Sequence, residues 1–255
     1  MSDEIVDSTA VDSTAVDRPV LEMVNVSLTL GEGARRVDAL LDISLEVHAK
    51  ELVAVTGRSG SGKSSLLNAA GGLIPASAGS VVVEGEDLSA LTARRRSALR
   101  RRSVGYVFQD LNLVSSLTAI ENVSLPLELD GTSLAKARRQ AEAALERVGV
   151  AHGAERFPDE LSGGEQQRVA LARGIVGERR LLLADEPTGA LDELTAERVM
   201  SIVRGLCDDG AAAVMVTHDQ SLAGWADRVV RLRDGRVEAV TTRPTITPEL
   251  INELS

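Results

Sequence analysis

Apolar and polar residues alternate in two stretches near the N-terminus: Val24, Val26, Leu28 and Leu30, then Ile43, Leu45 and Val47. Period-two alternation predicts half-buried strands. Gly31-Glu32-Gly33 breaks the first, and Val81-Val82-Val83 follows Gly79 as a further strand. Residues 20 to 83 therefore predict an antiparallel β-layer flanking the loop that follows the short apolar strand Leu52 to Val55. The period then changes. Leu134, Ala137, Ala141, Ala144, Leu145 and Val148 share one helical face, and Gly149 suits the stop. The strand Leu181–Asp185, a helix carrying Val199, Ile202, Val203 and Leu206, and the run Ala212–Val216 follow in turn. Val229–Leu232 and Arg236–Val240 flank Asp234-Gly235, a hairpin signal. Strands alternating with helices predict an α/β fold with a mostly parallel sheet, here with an inserted α-helical subdomain at about 88–178.

Two tails flank the expected domain at 20–240. Residues 1–19 repeat Val-Asp-Ser-Thr-Ala, are acidic and have little to bury, so they read as disordered; residues 241–255 show no core role. Composition refines this picture. At 44% hydrophobic and 2% aromatic, the core must be aliphatic. The single cysteine, Cys207, excludes an internal disulfide and suits a buried helix position in a reducing compartment. The net charge of −10 argues against a general nucleic-acid binder. The runs Arg94-Arg95-Arg96 and Arg100-Arg101-Arg102 lack interleaved aromatics and read as a solvated helix face. No apolar run reaches the roughly 18 residues of a membrane span, and the acidic N-terminal stretch lacks a secretory signal pattern. A cytoplasmic chain is expected, one that would depend on another chain for any membrane span.

The candidate chemistry centres on Gly57 to Ser65, GRSGSGKSS, which fits G-x-x-x-x-G-K-[ST]. Gly57, Gly60 and Gly62 let backbone N–H groups point at phosphate oxygens, with Ser59, Ser61 and Ser65 adding little bulk. Lys63 can reach the β- and γ-phosphates, the Ser64 hydroxyl is a hard ligand for Mg²⁺, and the following helix adds its positive end. Asp185 ends an apolar strand, where α/β sheets gather ligands, and is placed for the Mg²⁺ shell; Glu186 beside it is placed to deprotonate water. Ser162 and Glu165 form an S-x-x-E capping box for a helix to about Val176. That box does not explain Gly163 and Gly164, which weaken a first turn by roughly 1 kcal/mol each but admit a phosphate.

Leu161 to Arg168, LSGGEQQR, resembles the signature motif of ATP-binding cassette proteins. With it come, in the family's order, the phosphate loop, Gln109 (similar to the Q-loop), LLLADEP (similar to Walker B), Gly189-Ala190-Leu191-Asp192 (similar to the D-loop) and His218 (similar to the switch histidine). The resemblance implies a P-loop NTPase core and Mg²⁺-dependent ATP hydrolysis. It implies that Lys63 holds phosphates, that Ser64, Gln109 and Asp185 serve Mg²⁺, that Glu186 is the general base and that His218 supports base and γ-phosphate. Ser162 and Gly164 would contact nucleotide on a second subunit, with Gln166 and Asp192 counted among the nucleotide-binding residues, so the sites would form in a head-to-tail dimer, a homodimer by expectation. Gln109 to Leu127 would face an integral membrane partner, placing the chain at the cytoplasmic face of the plasma membrane. Ser59 to Ser64, Glu121-Asn122-Val123 with Leu125-Pro126-Leu127, and Asp185 to Asp192 resemble the lipoprotein-release, macrolide-export and cell-division subfamily. The family's aromatic that stacks on adenine falls at Leu30, and no Tyr, Phe or Trp precedes Tyr106; Val37 or a side chain of a second subunit is the alternative cover for the base. A soluble cassette protein of DNA repair or translation, and a different P-loop enzyme such as a nucleotide kinase or GTPase, are the competing expectations.

Overall fold

The computed structural model describes residues 18–242, so both expected tails lie almost wholly outside the described residues. The chain enters the fold at Val20, whose N–H donates to Val47 O at 2.8 Å. Two sheets organise it. Strands β1 (Leu21–Leu30), β2 (Val37–Val47), β4 (Ala78–Val83) and β5 (Glu86–Asp87) form the antiparallel layer in the order β2-β1-β4-β5. Strands β3 (Leu52–Thr56), β6 (Val104–Val107), β7 (Leu181–Asp185), β8 (Ala212–Val216), β9 (Arg228–Arg233) and β10 (Arg236–Thr242) form the central sheet in the order β10-β9-β3-β8-β7-β6. All of its pairings are parallel except β9 with β10, which carries the sheet two residues past the expected limit of 240.

The central strands are apolar on both faces because each face meets its own core. Val53, Val55, Leu181, Leu183, Val214 and Val216 pack with α1 (Lys63–Ala70) and the antiparallel sheet. Leu52, Ala54, Leu182, Ala184, Ala213 and Met215 pack with α3 (Ala119–Leu129), α4 (Leu134–Arg147), α5 (Gly163–Ile175) and α6 (Glu193–Asp208). Continuous hydrophobic runs are what a sheet covered on both sides requires. Cys207 is buried on α6, as its context suggested. Among the described residues no helix is long and apolar enough to cross a membrane.

The structure departs from the sequence reading at four further places. Val24 does not alternate inward. Leu21, Met23, Val26 and Leu28 are buried, while Val24 is 40% exposed. Asn25 sits at φ 50, its N–H donates to Ser44 Oγ at 3.0 Å, and the register shifts between Met23 and Val26. This is a bulge: one extra residue turns the side chains after it to the opposite face. Leu134 is 71% exposed because it begins α4, whose buried stripe starts at Ala137. The span 88–178 contains β6, the edge strand paired with β7, so helices α3 to α5 follow a strand of the core sheet. The basic run on α2 (Ala93–Ser103) is only partly a solvated face. Arg96 and Arg100 donate to the carbonyls of Leu88 (3.3 Å) and Gly72 (2.9 Å), and Arg102 pairs with Asp130 at 2.9 Å.

Candidate active site

The phosphate loop joins β3 to α1, so it emerges at the carboxyl end of a central strand. Two of its glycines are required by space as well as by dihedral angle. At Gly57 (φ 152) a Cβ would lie 2.4 Å from Leu232 O, and at Gly62 (φ 102) 2.5 Å from Ala39 O. At Gly60 (φ 78) nothing lies within 4 Å of that position, so the loop is open on that side. The turn Asp234-Gly235 between β9 and β10 braces the loop from below: Gly235 N–H donates to Ser61 O at 3.1 Å and Gly235 O accepts from Leu41 N at 2.8 Å. Lys63 Nζ is held over the loop by the carbonyls of Gly57 and Arg58, both at 3.0 Å. Ser61 Oγ is buried with no hydrogen-bond partner among the described residues.

A cleft of about 640 Å³ opens above the loop, lined by Gly57, Ser59, Gly60, Gly62, Lys63, Ser64 and Ser65, and by Gln109, Asp185, Glu186 and His218. A larger cavity of about 950 Å³ shares Gly57, Ser59, Gly60 and His218 but runs along β9 and β10. The chemistry lies in the smaller one, which alone gathers Lys63, Ser64, Gln109, Asp185 and Glu186.

Asp185 ends β7 at 7% exposure and accepts a hydrogen bond from Ser64. Burial raises its carboxyl above the usual aspartate range, partly opposed by that bond. A buried carboxylate bonded to a hydroxyl at the mouth of a phosphate loop is the hard-oxygen donor set that suits Mg²⁺. Glu186 stands at φ 49, a left-handed conformation that costs a non-glycine residue about 1–3 kcal/mol and persists only where its surroundings hold it. Here Val216 O accepts from Glu186 N at 3.0 Å, and Glu186 O accepts from Gly189 N and from Gln167 Nε2, each at 3.2 Å. The carboxylate reaches His218 Nδ1 at 2.8 Å. That hydrogen bond, with the charge behind it, raises the imidazole above its ordinary range. Sequence reasoning missed Gln167 as a support of Glu186; it lies inside LSGGEQQR and is 3% exposed, but its direction is set by where β7 ends.

The signature residues stand elsewhere. Ser162 caps α5, and the capping box is complete: Glu165 Oε2 accepts from Ser162 N (2.8 Å) and Oγ (2.7 Å), while Ser162 Oγ accepts from Glu165 N (3.3 Å). The Ser162 hydroxyl and N–H, with His152, hold Glu165 at a pKa of about 2. Gly163 has nothing within 4 Å of its Cβ position and Gly164 only ordinary contacts, so the helix start is open. Ser162, Gly164, Gln166, Asp192 and Leu30 do not line the cleft of their own chain. Gln166 turns inward, its amide donating to Pro158 O at 2.8 Å and Leu161 O at 3.1 Å. Asp192 caps α6 through Thr195 N at 3.0 Å. Leu30, expected at the base, packs half-buried against the core; Val37, its partner across the β1–β2 ladder and 62% exposed, lines the cleft instead.

A strand-braced phosphate loop with a buried acid, a strained acid–histidine pair and a separately presented capped helix defines an ATP-binding cassette of the P-loop NTPase class. The chain belongs to the ABC transporter family, whose profile matches residues 40–189, and it is an ABC-type ATPase. It is 46% identical over 221 residues, 86% of this chain and 97% of the relative, to the lipoprotein-releasing system ATP-binding protein LolD of Pseudomonas syringae pv. tomato. It is 40% identical to the macrolide export ATP-binding/permease protein MacB of Aggregatibacter actinomycetemcomitans, covering 91% of this chain but only 36% of that relative. Among solved structures, a dimeric ATP-binding cassette in a post-hydrolysis state bound to ADP and Pi matches at a TM-score of 0.83 and 36% identity, over 87% of this chain and 98% of that one.

Proposed function

We propose that the chain is the separate ATP-hydrolysing subunit of a membrane transport or mechanotransmission complex, working as a head-to-tail pair at the cytoplasmic face of the membrane. The observation that carries this reading is the division of the site. The cleft holds Lys63, Ser64, Asp185, Glu186 and His218, while the open, capped start of α5 at Ser162 lies outside it. A helix N-terminus that is open at Gly163 and has a second glycine beside it can receive a phosphate. A second copy of this chain, turned to bring Ser162 and Gly164 over the loop, supplies one.

In this reading Lys63 and the loop backbone bind the β- and γ-phosphates. Ser64 and Asp185, with Gln109, would hold Mg²⁺, which when bound neutralises charge on the phosphates. Glu186 takes a proton from the attacking water, and His218 holds the carboxylate in place. Head-to-tail closure on ATP and opening after hydrolysis would move a membrane partner against the stretch from Gln109 to Leu127, where Val114 is 39% exposed. The 46% identity to LolD, an ATP-binding protein of a lipoprotein-releasing system, supports an ATPase that serves a membrane partner. The names of the two relatives, lipoprotein release and macrolide export, point to export or to lipid, lipoprotein or peptide handling, and favour transport over DNA repair or translation.

Mixing a Lys63→Ala chain with a Ser162→Arg chain tests the composite site. A mixed dimer has one site carrying both lesions and one carrying neither, so phosphate release should rise above either chain alone. No gain at any mixing ratio, together with no nucleotide-dependent dimer by light scattering, would sink the head-to-tail arrangement.

A further inference from the structure

The turn after Gln109 passes through two consecutive left-handed residues that are not glycine: Leu111 at φ 58 and Asn112 at φ 49. Asparagine tolerates this region. In leucine the Cβ crowds the following carbonyl, so the conformation must be held from outside. The turn's own bonds are few, Leu111 N to Phe108 O at 3.0 Å and Asn112 N to Asp110 O at 2.6 Å. The outside hold is Arg173, in the last turn of α5. Its Nη2 donates to Leu111 O at 2.5 Å and its Nη1 to Asn112 O at 2.6 Å. One planar guanidinium thus grips two successive carbonyls, a fork geometry that lysine cannot reproduce. No acid pairs with Arg173 among the described residues, and burial alone pushes its pKa down. The partners of the guanidinium in this turn are thus two carbonyls and not a counter-charge.

The next residue makes the junction tighter. A Cβ at Gly105 would lie 1.9 Å from Gly174 O, so the end of α5 lies directly on the backbone of β6, the strand that leads into Gln109. The same helix begins at Ser162, about 16 Å away at 1.5 Å per residue.

We propose that Arg173 is a positioning residue for ATP hydrolysis: it docks the Gln109 turn onto the signature helix, so that Gln109 keeps its place in the cleft and moves as one body with Ser162. This rests on the hydrolytic reading given above. The test is a double-mutant cycle on turnover in the full chain, with Arg173→Met, Gln109→Ala and the pair. Methionine keeps the apolar stem and removes both donors. Arg173→Met should lower kcat by about ten- to a hundredfold, the scale of an ångström-sized misplacement, with binding of a fluorescent ATP analogue unchanged. The double variant should be no slower than the slower single one, since both act through one group. Arg173→Lys, which keeps charge and stem, should fall between wild type and methionine, and it carries the cycle if thermal melts show Arg173→Met poorly folded. Losses that multiply, or nucleotide binding that falls in step with turnover, would overturn the proposal. Glu186→Gln in the same series separates the two ideas. Normal turnover there would defeat the hydrolytic assignment, whereas a normal loss there with multiplying effects at Arg173 and Gln109 defeats only the positioning role.

Discussion

Glu186→Gln isolates the chemistry of one carboxylate because nearly everything that holds residue 186 is backbone. Its N–H bonds to Val216 O, and its carbonyl accepts from Gly189 N and Gln167 Nε2; glutamine leaves all three intact. The strain at φ 49 is the same for both side chains. The Oε1 atom that meets His218 at 2.8 Å survives as an amide oxygen; the Glu186 side chain is 18% exposed but the histidine side chain is 78% exposed, so solvent screens the pair and its loss costs about 1 kcal/mol or less. For a chain of this size that moves the melting midpoint by no more than about 4 °C. Turnover is different. A positioned general base contributes roughly 10²- to 10⁴-fold, equivalent to about 2.7–5.5 kcal/mol on the barrier. The expected variant therefore melts normally, binds ATP normally, releases phosphate at least a hundredfold more slowly and accumulates as an ATP-bound dimer. Phosphate release at saturating ATP, a thermal melt and size-exclusion chromatography with ATP measure the three properties. Turnover near that of wild type in a normally folded variant would refute the role of Glu186.

Two further expectations concern protonation and the base. His218 should titrate above the ordinary imidazole range, because a raised pKa means the charged pair with Glu186 is fully formed below that range and is lost as pH rises through the raised value. With three histidines in the chain, NMR can follow it alone, and Glu186→Gln should return it toward the ordinary value; an unmoved titration would show that Glu186 is not the cause. Because Val37 rather than Leu30 lines the cleft, Val37→Tyr should tighten ATP by up to about 1.4 kcal/mol, a tenfold change in Kd, on the 1–3 kcal/mol scale of base–aromatic stacking. Leu30→Tyr should do less, and the wild type should separate ATP from GTP weakly. Nucleotide titrations with both bases check this, and a strong ATP preference untouched by Val37→Tyr would count against it.

What could be read along the chain was whatever local physics dictates. Alternation and helical periodicity report which face is buried, so the strands, α4, α6 and the Asp234-Gly235 hairpin were legible. The phosphate loop and the capping box at Ser162 are short-range devices whose residues bond to their own neighbours, and they too were visible before any fold. The tertiary structure decided whatever depends on residues far apart in sequence meeting. The bulge at Asn25 needs Ser44 from β2 to receive its N–H, and alternation counted along one strand cannot show it. Val37 displaces Leu30 at the cleft because the β1–β2 register and the core behind it choose which side chain stays free. Gln167 supports Glu186, and Arg173 grips Leu111 and Asn112, across 19 and about 62 positions, which no periodicity spans. Local pattern encodes burial and turn chemistry, because those energies involve near neighbours. The aim of a buried polar side chain is set by packing of the whole molecule, and only the folded chain shows it.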